Sequence, residues 1–410
     1  MTDENEGWKA KALEVWHSKT WTEPKIVKLV PRPQWVDITK EGDPKRTYRN
    51  AREAIKSLGV TCRYDRFHDR MLVGGHPIDE WAGELTDNVI MVLRQLIIDK
   101  FDFDPGKDHI ADAATALCLE NGFDPVLDYL NGLDWDGVER LDEWLATYLG
   151  AENTPLNAAI GRLALIAAVR RVRQPGCKFD HILTLEGEEG TKKSTSIVTL
   201  AGVENFSDQT ILTQSDKEQQ ELVRGVWLFE IADLAGMRRA DVEKIKAFAS
   251  RTHDRARPAY GRRRFDAPRR CIFIATTNED QYLQSQTGNR RFWPVKTGVI
   301  DIESLARDRD HLWAEAAYAE AKGNLLVLPA ELWKAASAAQ EQRRLEDPWD
   351  DILTSILATL PGTIYASDAD SDEERITTAE LFKALEVPAT RAQAVEAQQA
   401  RYAAAGLGRS

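Results

Sequence analysis

The sequence predicts an α/β protein: a mainly parallel sheet built around a phosphate-binding loop, with a helical domain before it and a small helical tail after it. Three observations carry this. Short apolar runs at 181–185, 226–229 and 271–275, each closed by polar residues, alternate with helical patterns, as in a parallel layer whose ligand sits beyond the carboxyl ends of its strands. The first run leads into a glycine-bearing loop and then Lys-Ser-Thr at the head of an apolar helical pattern. A length of 410 residues, 43% of them apolar, leaves room for roughly two to four units.

Residues 50–58 read as an amphipathic helix, with Ala51, Ala54, Ile55 and Leu58 on one stripe and Gly59 as its stop. Two short strands follow at 60–64 and 70–73, with Gly74-Gly75 as a turn. From 78 to 146 the period is helical: Val89, Leu93, Leu96 and Ile97 form one stripe, and Ile110, Ala113, Ala114 and Leu117 another. Segment 127–140, with aspartates flanking Trp135, reads as an acidic connector with a buried indole. A long helix over 156–173 ends in Arg170, Arg171 and Arg173, cations suited to a helix C-terminus. After Pro294, helices resume at 310–322 and 329–345; 367–374 is an acidic linker, and 377–385 begins a helical tail, of which a winged helix is one form. The expected division is a small α+β region at 1–77, a helical domain at 78–155, the phosphate-loop core at 156–325 and a helical region at 326–410.

Composition narrows the function classes. No apolar run reaches the ~18–20 residues of a membrane span, and the first residues, with Asp3, Glu4 and Glu6, lack the apolar stretch of a secretory signal. Cys62, Cys118, Cys177 and Cys271 show no metal-ligand spacing, so reduced thiols in a cytoplasmic setting are expected. The net charge of −12 argues against nucleic acid as a partner of the whole surface.

The chemistry centres on Glu186-Gly187-Glu188-Glu189-Gly190-Thr191-Lys192-Lys193-Ser194-Thr195. Gly187 and Gly190 let backbone N–H groups turn inward around phosphate oxygens, and the helix start adds partial positive charge. Lys193 supplies a point charge for the β- and γ-phosphates, and the Ser194 hydroxyl is a ligand for Mg²⁺. The usual pattern has glycine where Lys192 stands, so the loop either follows the same path with a side chain there or is a surface turn. The second run ends in Glu230, with Asp233 three residues on; an acid there can hold the metal shell or orient water, and a solvated carboxylate is the plainer alternative. The third run ends in Asn278, an amide able to bond both the γ-phosphate and the attacking water, or simply to cap a turn. Arg290 and Arg291 follow, placed to neutralise transition-state charge in the same subunit or a neighbour's, with Arg291 on Trp293 as the structural alternative.

One strip reverses the overall charge. Residues 251–270 hold eight arginines against two aspartates. Within it, 258–265 reads as a turn between two short strands, a basic hairpin in which Arg257, Tyr260, Arg262, Arg263 and Arg264 offer phosphate contacts and a stacking platform for single-stranded DNA.

Together, Trp135-Asp136-Gly137-Val138, Pro175-Gly176-Cys177-Lys178, the loop itself, Phe229-Glu230, Arg257-Pro258-Ala259-Tyr260-Gly261-Arg262, Thr276-Thr277-Asn278 and Gly288-Asn289-Arg290-Arg291-Phe292-Trp293-Pro294-Val295 resemble the virulence-associated protein E family of phage and genomic islands. The resemblance covers residues 100–325. It implies a P-loop, AAA+-like core similar to superfamily 3 helicases and to the helicase half of primase-helicases. A homo-hexameric ring around single-stranded or forked DNA, hydrolysis of ATP with Mg²⁺, and work beside phage or host replication proteins would follow. It also implies that Lys193 and Ser194 match the nucleotide-loop pair, Glu230 and Asp233 the acidic motif, Asn278 the sensor, Arg290 or Arg291 the arginine finger, and Arg262, Arg263 and Arg264 the DNA hairpin. Two departures stand out: Lys192 in the loop, and Glu230 without an adjacent acidic partner. No primase-type carboxylate cluster occurs in 1–100, so priming is not expected. The alternative is a replication initiator or loader that binds DNA without unwinding it.

Overall fold

The structure, a computed structural model, describes residues 32–211, 214–234, 239–256, 265–283 and 288–345. The described residues up to Arg343 belong to one compact unit. The expected linker and tail at 367–385 lie outside the described residues, as do Arg257, Tyr260, Arg262, Arg263 and Arg264.

The chain first builds a small α+β layer. Helix α1 (Tyr48–Leu58) starts on a Thr47 cap and ends at Gly59, whose φ of 75° is the left-handed conformation expected there. Strands β1 (Thr61–Asp65) and β2 (Arg70–Gly74) pair antiparallel across the turn at 66–69. At Gly74-Gly75 the chain leaves β2, with Gly75 at φ 111°. Strand β3 (Gly83–Glu84), helices α2 (Asp87–Phe101) and α3 (Lys107–Glu120), and β4 (Gly122–Phe123) complete the layer, in sheet order β3-β2-β1-β4. Both expected stripes are buried in one core with α1 and β1. The expected boundary at 77/78 thus falls inside a folded layer: β4, beyond the helices, pairs with β1. Sequence periodicity registers helices well and two-residue strands hardly at all.

Helices α4 (Pro125–Asn131), α5 (Trp144–Leu149) and α6 (Pro155–Arg173) lead into the main sheet. Trp135, expected to be buried, is half-exposed: its indole lies 4.5 Å from the ring of Tyr318 and donates to the Val138 carbonyl. The sheet holds β5 (Ile182–Glu186), β6 (Phe206–Ser207), β7 (Leu228–Ile231), β10 (Ile272–Thr277) and β11 (Phe292–Lys296), all parallel, in the order β11-β5-β10-β7-β6. Between β7 and β10 come α9 (Arg239–Ala249) and the antiparallel strands β8 (His253–Ala256) and β9 (Phe265–Pro268). Those two strands are the stems expected for the basic hairpin. Helices α7 (Lys193–Ala201), α8 (Asp216–Val223), α10 (Ile302–Ala321) and α11 (Trp333–Glu341) complete the set.

The sheet is buried on both faces. Leu183, Leu185, Ile272, Ile274 and Val295 enter one core with α6, α7 and α10, while Ile182, Phe273, Ala275 and Phe292 enter the other with α9. Side chains of successive strand residues alternate between these cores, so the runs are mostly apolar rather than alternating. On the first face the Trp227 and Trp313 rings lie 4.2 Å apart, and their indoles donate to the carbonyls of Ala168 and Leu200. The arginines closing α6 do more than answer a helix dipole. Arg170 and Arg173 each reach Glu320 of α10 at 2.9 Å, and Arg171, 1% exposed, donates to the Arg269 and Phe179 carbonyls.

Candidate active site at the strand ends

Strand β10 lies between β5 and β7 in parallel register, with Thr277 opposite Glu186 and Ile274 opposite Glu230. The three strands therefore end along one edge of the sheet, where loops 187–192 and 232–234 and Asn278 emerge. A cavity of about 610 Å³ opens there, and its wall includes Gly190, Thr191, Lys192, Lys193, Ser194, Thr195, Asp233, Thr276 and Asn278.

Each loop residue has a local reason for its position. Gly187 donates its N–H to the Thr277 carbonyl, and a Cβ on it would come within 2.6 Å of the Thr297 hydroxyl oxygen, so glycine is required for this close approach. Lys192 takes φ 69° and ψ 23°, at the cap of α7. Left-handed backbone at such a residue costs about 1 kcal/mol. The path expected of a glycine is thus followed with a side chain attached. Lys193 folds its ammonium onto the loop, 2.6 Å from the Gly187 carbonyl and 2.7 Å from that of Glu188, and burial pushes its pKa down.

Glu230 is the centre of the polar network. It is 2% exposed, and its Oε1 accepts from the Ser194 hydroxyl and from the Thr276 hydroxyl, both at 2.7 Å. Burial pushes its carboxyl above the usual carboxylate range, opposed by those two hydrogen bonds. A hydroxyl and a carboxylate at this spacing form a hard-oxygen pair of the kind that holds Mg²⁺ together with phosphate oxygens and water. The site fits that ion. Asp233 and Asn278 stand exposed on the cavity wall, so they, rather than Glu230, face open solvent.

The arginine pair does not join this cavity. Arg290 and Arg291 precede β11, whose first residue, Phe292, lies opposite Ile182 at the start of β5. They sit at the amino ends of the strands, a strand length of about 16 Å from the loop. This rules out the same-subunit role, because the parallel pairing sends the loop out at the other end. The stacking alternative also fails: His181 stacks on Trp293 at 4.1 Å, while Arg291 donates to the Ser250 hydroxyl and lies 3.4 Å from Asp180. In the basic strip, Arg269 clasps Asp254 at the hairpin base and Arg270 pairs with Asp124, so these two arginines are structural.

Four participants escaped the sequence reading. Thr276 is one. The others form a clamp at the loop's root: Arg343 donates from Nε and Nη2 to the two carboxylate oxygens of Glu186, each at 2.8 Å, and the Tyr282 hydroxyl donates to Oε1. Glu186, an acid closing a fully buried strand, was the available signal that a buried cation must meet it. Arg343 lies 157 residues away and carries no local mark of its own.

This arrangement defines a class: a parallel α/β protein with a loop and a lysine at a cavity beyond the strand ends, backed by a buried carboxylate. The chain belongs to the virulence-associated protein E-like domain family, whose profile matches residues 130–345. Among solved structures it is similar to the apo C-terminal region of NrS-1, with 11% identity over 75% of this chain and 77% of that one, at a TM-score of 0.47. A second apo form of that region gives 10% identity over 76% and 78%, at 0.48. Comparison with curated proteins finds no match.

Two outcomes follow from the buried charges. A carboxyl whose folded pKa lies above its unfolded value loses stability as pH rises between the two, so Glu230→Gln, which keeps an oxygen acceptor for both hydroxyls, is expected to melt above wild type near pH 8. That advantage should shrink towards about pH 4 in calorimetric scans. Arg343→Ala leaves Glu186 buried without its cation and is expected to destabilise the fold by about 3 kcal/mol in denaturant titrations, with Arg343→Lys recovering only part, since a single ammonium cannot reproduce the fork.

Proposed function

We propose that this chain is an ATP-driven DNA helicase or translocase serving replication of a phage or mobile element. The single observation that carries the reading is the meeting of Lys193, Ser194 and Asn278 at one cavity beyond the carboxyl ends of parallel strands, with the Ser194 hydroxyl bonded to the buried Glu230 behind the wall. Lys193 leaves its loop carbonyls to meet the β- and γ-phosphates. Ser194 and Glu230 hold Mg²⁺, which when bound neutralises charge on the phosphate oxygens. Glu230 is enclosed by two hydroxyls, so Asp233 and Asn278 take the task of orienting water at the γ-phosphate. Such transfer depends on positioning and electrostatics rather than on a strong base.

The arginines at the amino ends of the strands support a ring reading, in which a neighbouring copy, homo-hexameric by family resemblance, presents Arg290 or Arg291 to this cavity. The antiparallel β8–β9 stem leads into the arginine-rich 257–264 segment, which would follow one DNA strand as nucleotide turns over.

Phosphate release from ATP is the direct test: wild type with Mg²⁺ should turn over and be stimulated by single-stranded DNA, and Lys193→Ala should fall by about a hundredfold or more. Equal background rates from both proteins would favour a DNA-binding initiator or loader with a silent nucleotide loop. For the DNA half, Arg262→Ala combined with Arg263→Ala should weaken single-strand binding and flatten the log–log salt slope by about 1.4, the value for two lost phosphate contacts. An unchanged slope removes the hairpin from the mechanism.

A further inference from the structure

Among the described residues, four that are not glycine hold a left-handed backbone: Asp69, Asp102, Lys192 and Asp233. Asp69 sits in the β1–β2 turn and Asp102 closes α2, places where a short polar side chain tolerates that conformation. Lys192 and Asp233 instead both line the cavity at the strand ends. Strained residues held at a cavity wall point to a role in what the cavity binds. A lysine has no short polar group to bond its own backbone, so the local stabilisation that helps aspartate is missing at 192.

The charge balance of the cavity indicates what Lys192 adds. Glu189 and Asp233 line it, and Glu230 stands directly behind Ser194. Against these carboxylates Lys193 is one cation, tied to the carbonyls of Gly187 and Glu188 and to the Thr191 hydroxyl. Lys192 is exposed on the same wall. With a glycine at 192 these three carboxylates would face one cation rather than two, and the lost charge would be felt by a polyphosphate in proportion to its own charge. Resting on the nucleotide reading above, we propose that Lys192 is a specificity residue that turns this loop towards triphosphate over diphosphate, by placing a second cation beside the phosphate chain.

The backbone and the charge can be separated. Lys192→Asn keeps a residue that accepts the left-handed conformation and removes the cation; Lys192→Gly does the same with no side chain; Lys192→Arg keeps the charge. Titration calorimetry of the full chain with ATP and with ADP, each with Mg²⁺, at low and at physiological salt, reads the result. Lys192→Asn is expected to weaken ATP roughly tenfold and ADP by clearly less, with the loss shrinking as salt rises, while Lys192→Arg stays near wild type. Should Lys192→Asn fail to fold, Lys192→Gly carries the same comparison. Equal ATP affinity in wild type and the neutral variants, or equal losses for ATP and ADP, would overturn the role of Lys192 and leave the nucleotide site standing. Absence of ATP uptake by wild type itself would overturn both.

Discussion

Two hydroxyls share one carboxylate oxygen, and the geometry of the site depends on that sharing. Ser194 belongs to the helix leaving the loop, Thr276 to the central strand and Glu230 to its neighbour, so the two hydrogen bonds lock three elements together at the sheet edge. The parallel register of β5, β10 and β7 makes this meeting possible, because it brings all three strands to an end on the same side. The arrangement works against stability, since a buried carboxyl held by neutral donors disfavours its own ionised form. A core designed only to stay folded would have an amide or a methyl there.

Arginine and lysine are used differently in this acidic chain. Within the fold it acts as a fork that joins distant segments: Arg170 and Arg173 to Glu320, Arg269 to Asp254, Arg270 to Asp124, Arg343 to Glu186. A planar guanidinium can satisfy both oxygens of a carboxylate and still donate to a carbonyl, as Arg269 does with Asp254 and the Phe248 carbonyl, which a point-charge ammonium does less well. The lysines placed at the cavity, by contrast, are single charges on flexible stems, suited to following a phosphate group. A count of cations along the strip therefore overstates what is available to a polyanion, since Arg269 and Arg270 are already committed to aspartates.

Much of this was legible in the sequence because it is local. The three apolar runs became strands within a residue or two at each end, and the loop, Asp233 and Asn278 line one cavity, with Glu230 bonded to Ser194 beside it. Helices α1, α2 and α3 followed their stripes. What escaped was non-local or too short to show a period. Strand β11 carries Pro294 and follows two arginines, so its five residues give no strand signature until β5 is found beside it. The two-residue strands β4 and β6 have no pattern to detect, and without β4 the N-terminal layer seems to end too early. Arg343 pairs with a residue more than a third of the chain away, and only the folded sheet brings them together. The same parallel topology moved Arg290 and Arg291 to the opposite end from their expected place, because adjacency in sequence to a strand says nothing about which end of its neighbour it meets.

Strand β11 has a further effect on how copies of this molecule can meet. It is the outermost strand of the main sheet on its side, and its central residue, Pro294, has no amide hydrogen to offer an incoming strand. Nearby, the Gln340 side chain donates to the carbonyl of Phe292 at its first residue. A border lacking one donor and partly capped resists the edge-to-edge recruitment that drives fibrous aggregation. Copies brought close together at high density would therefore be steered away from sheet fusion and towards contact through helices and loops.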